Sequence, residues 1–127
     1  MIVVSGFEGT YKEKIALMSD HVLALTTLPD GFDASQLAQE LVAAGLAACV
    51  TILPAVKSVY TWKGVPQVES EQQLLIKTTA DLVDSLWEVL KDRHPYDVPE
   101  FLVVPVVDGS PDYLQWIDRS VGPRAES

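Results

Sequence analysis

Apolar and polar residues alternate along this chain in blocks of two periods, and the order of the blocks predicts a fold. His21 to Thr27 is a short apolar run closed by the turn residues Leu28-Pro29-Asp30-Gly31, as expected of a buried strand. Asp30 or Asp33 is placed to cap a helix. In that helix Ala34, Leu37, Ala38, Leu41 and Val42 form one stripe at i, i+3, i+4, i+7 and i+8. Gly45 stands where a glycine stop belongs. Leu46 to Leu53 reads as a second buried strand, which Pro54 interrupts. Val56 to Lys63 then alternates, so Val56, Ser58, Tyr60 and Trp62 share a face. Lys63-Gly64-Val65-Pro66 predicts a hairpin tip, and Val68 to Thr79 returns as a long third strand. Thr78 or Thr79 is the expected cap of a second helix with the stripe Leu82, Leu86, Val89 and Leu90.

That helix runs into His94-Pro95-Tyr96-Asp97-Val98-Pro99-Glu100. Each proline fixes its own φ and pushes the residue before it, His94 or Val98, out of helical geometry. The chain therefore leaves its helix near Arg93 and crosses as a stiff, extended segment carrying an imidazole, a phenol and two carboxylates. Rigid loops of this kind often hold sites. Phe101 to Val107 is expected to be a fourth buried strand. Ser110 and Pro111 then start a short helix with Tyr113, Leu114, Trp116 and Ile117 on its apolar side. From Gly122 onward the tail has nothing to pack.

The run Leu23-Ala24-Leu25-Thr26-Thr27 is followed by a helix and a strand, and so is Leu75-Ile76-Lys77-Thr78-Thr79. Two such units joined by a hairpin predict an α+β fold: a ferredoxin-like βαββαβ sandwich with a long central hairpin and a short C-terminal helix. Both main helices fall on one face of a single antiparallel sheet. The two middle strands are long and aromatic, and their surplus edge would be left unpaired. Pairing with identical copies solves that, so a closed ring of subunits is expected.

Composition narrows the function. The chain has 127 residues, 48% of them hydrophobic and 21% charged, which fits one ordinary globular domain. Its boundaries are read as 21–120, with a flexible N-terminal extension over 1–20 and a flexible tail over 121–127. A net charge of −9 argues against nucleic acid and anionic membrane partners, which need basic patches. No apolar run reaches the ~18 residues that span a bilayer. The start lacks the pattern of a secretory signal, and the expected location is the cytoplasm. One cysteine, Cys49, excludes an internal disulfide and a zinc ribbon, and its apolar run predicts a core position. With two histidines, no Gly-x-Ser-x-Gly elbow and no phosphate-loop glycine spacing, no enzymatic centre is legible.

Taken in order, Ala47-Ala48-Cys49-Val50, Ser58-Val59-Tyr60-Thr61-Trp62-Lys63-Gly64, Glu71, Ile76-Lys77-Thr78, His94-Pro95-Tyr96, Pro99-Glu100, Tyr113 and Trp116 resemble the CutA1 divalent-cation-tolerance family. The likeness covers roughly residues 21–120. It implies a ferredoxin-like subunit in a tight homotrimer, long hairpins pairing between subunits, and a non-enzymatic role in tolerance of copper and other divalent metals. The architecture is also similar to that of trimeric PII signalling proteins, which makes a small anionic metabolite in an intersubunit cleft the alternative. Some bacterial members carry a cysteine near the end of the first strand and paired histidines before the Pro-Tyr, proposed as copper ligands. Here Thr26 and Arg93 stand in two of those places, and only His94 is kept.

The candidate cleft residues are Tyr60, Trp62, Glu71, Lys77, His94, Tyr96 and Glu100. His94 is either a metal ligand, for Cu or another divalent cation, or a neutral imidazole orienting the turn at a helix end. Lys77 is the odd charge in the apolar part of its strand, between Ile76 and Thr78. It is either a cation meeting a carboxylate or phosphate in the cleft, or half of a buried pair with Glu71 of another copy or with Glu100. Tyr60 and Trp62 either stack on a ligand or pack between subunits.

Overall fold

The local signals place the elements, and the sheet register then decides what each strand faces. The computed structural model describes residues 9–10 and 19–123, so most of the expected N-terminal extension and residues 124–127 lie outside the described residues. In chain order the elements are β1 (His21–Pro29), α1 (Ala34–Ala43), β2 (Cys49–Trp62), β3 (Val65–Thr79), a 3-10 turn (Ala80–Leu82) running into α2 (Val83–Arg93), β4 (Leu102–Pro105) and α3 (Pro111–Ser120).

Helix α1 begins where Asp33 accepts a hydrogen bond from the Gln36 amide, 3.0 Å away. It ends at Gly45, whose φ of +74° lets the Gly45 and Leu46 amides reach back to the Val42 and Leu41 carbonyls. A Cβ at Gly45 would lie 2.3 Å from the Gly122 carbonyl oxygen, so that position needs glycine for space as well as for conformation. The Gly122 amide in turn donates to the Gly45 carbonyl at 2.8 Å, fastening the end of the described chain to this turn. Ser110 accepts from the Tyr113 amide and Pro111 opens α3, as the sequence predicts.

The sheet order is β2-β3-β1-β4, all neighbours antiparallel. Each β-α-β unit therefore has its two parallel strands separated by a strand of the other unit. The result is an α+β fold with one four-stranded antiparallel sheet and, among the described residues, three α-helices, compatible with the ferredoxin-like expectation. Ala24 and Leu28 of β1 and Leu74 and Ile76 of β3 face α1 and α2, burying Leu37, Leu41, Leu86 and Leu90 against them. Helix α3 lies on the opposite face, where Lys77 sits beneath Tyr113 and His21 meets Asp118.

Four expectations need correction. First, Pro54 does not interrupt the second strand: Leu53 pairs with Gln73 and Val56 with Glu71, so an extra residue bulges out at Pro54-Ala55 and Ala55 takes a φ of +57°. Proline cannot donate to the ladder, and a bulge is where a strand tolerates it. Strand β2 also begins at Cys49 rather than Leu46, because Ala48 is held in the turn by the Lys77 carbonyl.

Second, the fourth strand is short and exposed: only Leu102–Pro105 pairs, and Leu102 and Val104 are 56% and 44% exposed. It is an edge strand, and α3 packs on β3 instead of covering it. Third, neither threonine caps α2. The Thr78 hydroxyl donates to the Leu46 carbonyl, Thr79 bonds Asp81, and the helix starts through the 3-10 turn. Fourth, Cys49 is not core, and Tyr113 and Trp116, expected in the core or at an interface, do not join the core of this chain. Cys49 is half-buried, and both aromatics of α3 are exposed with Ile117 alone buried.

Candidate functional site

The proline-framed crossing does what its backbone restrictions demand. His94 leaves α2 in an extended conformation (φ −74°, ψ 135°) while its amide still donates to the Leu90 carbonyl. This turn swings the imidazole onto the end of β1, beyond the stretch that β4 covers. The imidazole Nε2 lies 2.7 Å from the Thr27 carbonyl oxygen, and Nδ1 accepts from the Tyr96 amide at 3.1 Å. A carbonyl can only accept and an amide N–H can only donate, so these partners require the neutral ring with its proton on Nε2. Burial depresses the imidazole below its ordinary range, against the Thr27 carbonyl and the Glu71 charge, which favour protonation.

Tyr96 continues the network. Its ring lies 5.0 Å from that of His94, and its hydroxyl donates to Glu71 Oε2 at 2.8 Å. Glu71 is 5% exposed, so the phenol supplies a hydrogen bond to a carboxylate that has been largely removed from water. Burial pushes the Tyr96 phenol well above its usual value, and the bond to Glu71 adds to the shift. Beside it, Tyr60 on β2 donates to Glu69 Oε1 at 2.7 Å, and that bond likewise holds the phenol above its usual value. Glu100 accepts from Gln73 Nε2 at 3.2 Å, while the same amide donates to the Thr26 carbonyl at 2.9 Å.

Of the seven predicted residues, His94, Tyr96 and Glu71 come into direct contact, with Tyr60 and Glu100 alongside through Glu69 and Gln73. Lys77 and Trp62 do not join them. Lys77 is six residues along β3 from Glu71, about 20 Å at strand rise, and its ammonium rests 5.8 Å from the Tyr113 ring centroid. Within one chain it pairs with neither Glu71 nor Glu100. Trp62 stands at the hairpin tip, 62% exposed. Sequence reasoning missed Glu69 and Gln73, although the two-residue period that placed Tyr60 would also have put Glu69, Glu71 and Gln73 on one face.

The donors do not fit a metal centred on His94. Both ring nitrogens are already engaged, and among the described residues no group of three His, Cys, Asp or Glu side chains is arranged to hold an ion. A cavity of about 440 Å³ between α1 and β2, lined by Ser35, Ala38, Gln39, Val42, Val50 and Ile52, lies apart from this network. No helix among the described residues is long and apolar enough to cross a membrane.

Fold and site together define a small α+β protein built around a hydrogen-bonded carboxylate–phenol–imidazole cluster beside a long exposed hairpin. Residues 22–120 match the family described as CutA1 divalent ion tolerance protein, and the chain belongs to that family. Among curated relatives, a divalent-cation tolerance protein CutA from Pectobacterium atrosepticum is 45% identical over 104 residues, covering 82% of this chain and 94% of its own. One from Citrobacter koseri is 45% identical over 100 residues, covering 79% and 87%. Among solved structures, CutA from Synechococcus elongatus superposes with a TM-score of 0.77 at 43% identity, over 82% of this chain and 92% of that one. CutA1 from Oryza sativa gives 0.78 at 36% identity, over 84% and 98%.

Proposed function

We propose that this protein works as a non-enzymatic homotrimer in the cytoplasm, contributing to tolerance of copper and other divalent metals. Its cation binding is weak and its assembly is essential. The observation that carries the reading is the unpartnered hairpin: among the described residues β2, fourteen residues long, pairs with β3 alone, which leaves its outer edge without a strand partner there. Along the same ribbon Val59, Tyr60, Trp62, Val65 and Val68 are exposed, and so are Leu102 and Val104 on the far edge of the sheet. Exposed edges and apolar patches of this extent favour pairing with other copies. The ferredoxin-like arrangement turns these two edges outward in each subunit, as a closed ring requires.

Weak cation binding follows from the donor set. A chain of net charge −9 offers many carboxylates but no preformed cluster among the described residues, and His94 has no free lone pair. A site for a small anionic metabolite finds less support, since Glu69, Glu71 and Glu100 line the cluster and Lys77 is remote from it. Sedimentation equilibrium is expected to give three times the 13.9 kDa chain mass. Calorimetric titration with Cu²⁺ and Zn²⁺ is expected to give no saturable site tighter than about millimolar. A stable dilute monomer refutes the assembly, and a micromolar stoichiometric site refutes the weak-binding mode.

A further inference from the structure

We propose that the His94 clasp is an acid-released catch: protonation of the imidazole frees the Tyr96 backbone and loosens the 94–100 crossing from β1 and Glu71. The geometry requires an opposition of donors. In the neutral ring, Nδ1 accepts from the Tyr96 amide while Nε2 donates to the Thr27 carbonyl. Adding a proton at Nδ1 sets one N–H against another, and the half-buried Tyr96 amide loses its acceptor. Tyr96 is the residue whose hydroxyl bonds Glu71, so the backbone change reaches the buried carboxylate.

The groups around the imidazole allow this response. Strand β1 presents a carbonyl, and its ionisable side chain, His21, lies at the opposite end, paired with Asp118 of α3. From β3, Glu71 favours the protonated ring, while burial opposes it more strongly. Arg93, next in sequence, is turned toward Glu40 of α1. On the crossing itself, Tyr96 is neutral, Asp97 is exposed, and Glu100 is bound by Gln73.

The sign follows from linkage. The ring binds its proton more weakly when clasped than when released, so the released state gains protons first as pH falls. Opening therefore becomes easier from about pH 6.5 down to the clasped ring's own lower midpoint, by up to about tenfold per pH unit, and levels off below it.

With two histidines in the chain, Cε1–H NMR signals of the full-length protein are assigned by comparison with His21→Asn. The His94 signal is expected to titrate below the ordinary histidine value. The protection factor of the Tyr96 amide, from hydrogen exchange corrected for intrinsic rate, is expected to fall through the same window. In His94→Gln the carboxamide can donate to Thr27 and accept from Tyr96 without titrating, so the protection factor should become independent of pH over that range. His94 titrating at or above the ordinary value, Tyr96 protection that stays flat while His94 titrates, or an unchanged pH dependence in His94→Gln each overturns the proposal.

Discussion

Removing one oxygen atom, in Tyr96→Phe, tests whether the cluster is an energetic unit. The phenol donates to Glu71 Oε2 at 2.8 Å, and Glu71 is 5% exposed. A hydrogen bond to a charged group contributes about 1.5–3 kcal/mol, and its loss here leaves a carboxylate buried without that donor. The expected cost is about 2 kcal/mol. Glu71→Gln keeps an oxygen that can accept from Tyr96 but removes the charge assistance, which roughly halves such a bond, so about 1 kcal/mol is expected. In the double variant no charge is left stranded, and the two costs should fall short of additivity by at least about 1 kcal/mol. The assay is urea unfolding read by tryptophan fluorescence; of the three tryptophans, Trp87 stacks on Phe101 at 4.8 Å where the crossing ends. All samples are held at one protein concentration, because self-association shifts apparent stability. Costs that add within about 0.5 kcal/mol would refute the coupling.

Three further outcomes are expected. Gly45→Ala and Gly64→Ala both place a Cβ at positive φ, but only the former meets backbone, with Gly122 O at 2.3 Å. Thermal unfolding should show Gly64→Ala costing about 1 kcal/mol and Gly45→Ala clearly more; equal costs would mean that the turn relaxes away from Gly122. Asp33→Ala removes the side-chain oxygen that accepts from Gln36 N and should cost about 1 kcal/mol in the same measurement, while Asp30→Ala should change little. Trp62→Ser at the exposed hairpin tip should keep the far-ultraviolet circular dichroism spectrum but weaken self-association by at least tenfold, about 1.4 kcal/mol, in sedimentation. An unchanged association constant would put the tip outside the interface.

What the sequence determined by itself lies within a few residues' reach. The Gly45 stop and the Ser110-Pro111 helix start are local and stand as read, while the structure selects Asp33 over Asp30 as the cap and narrows the hairpin tip from 63–66 to Lys63-Gly64, with Val65 and Pro66 already paired in β3. The same holds for the exit of His94 from α2, dictated by Pro95, and for the core stripe of α1. The family motifs were legible too, because they are spaced along the chain and need no register to be seen.

Only the tertiary structure decided what depends on pairing across the sheet. The bulge at Pro54-Ala55 reverses the parity of β2, putting Val56, Ser58, Tyr60 and Trp62 on the same face as Cys49 and Leu53; no local rule counts that extra residue. An edge position left β4 exposed, although its composition resembles that of a buried strand. The two nitrogens of His94 found their partners on β1 and on the crossing, and that choice made the residue a neutral clasp where sequence alone favoured that role but left a metal ligand open. Side-chain chemistry is written along the chain, but which groups meet is settled by strand order and register, where one residue's slip exchanges one face for the other.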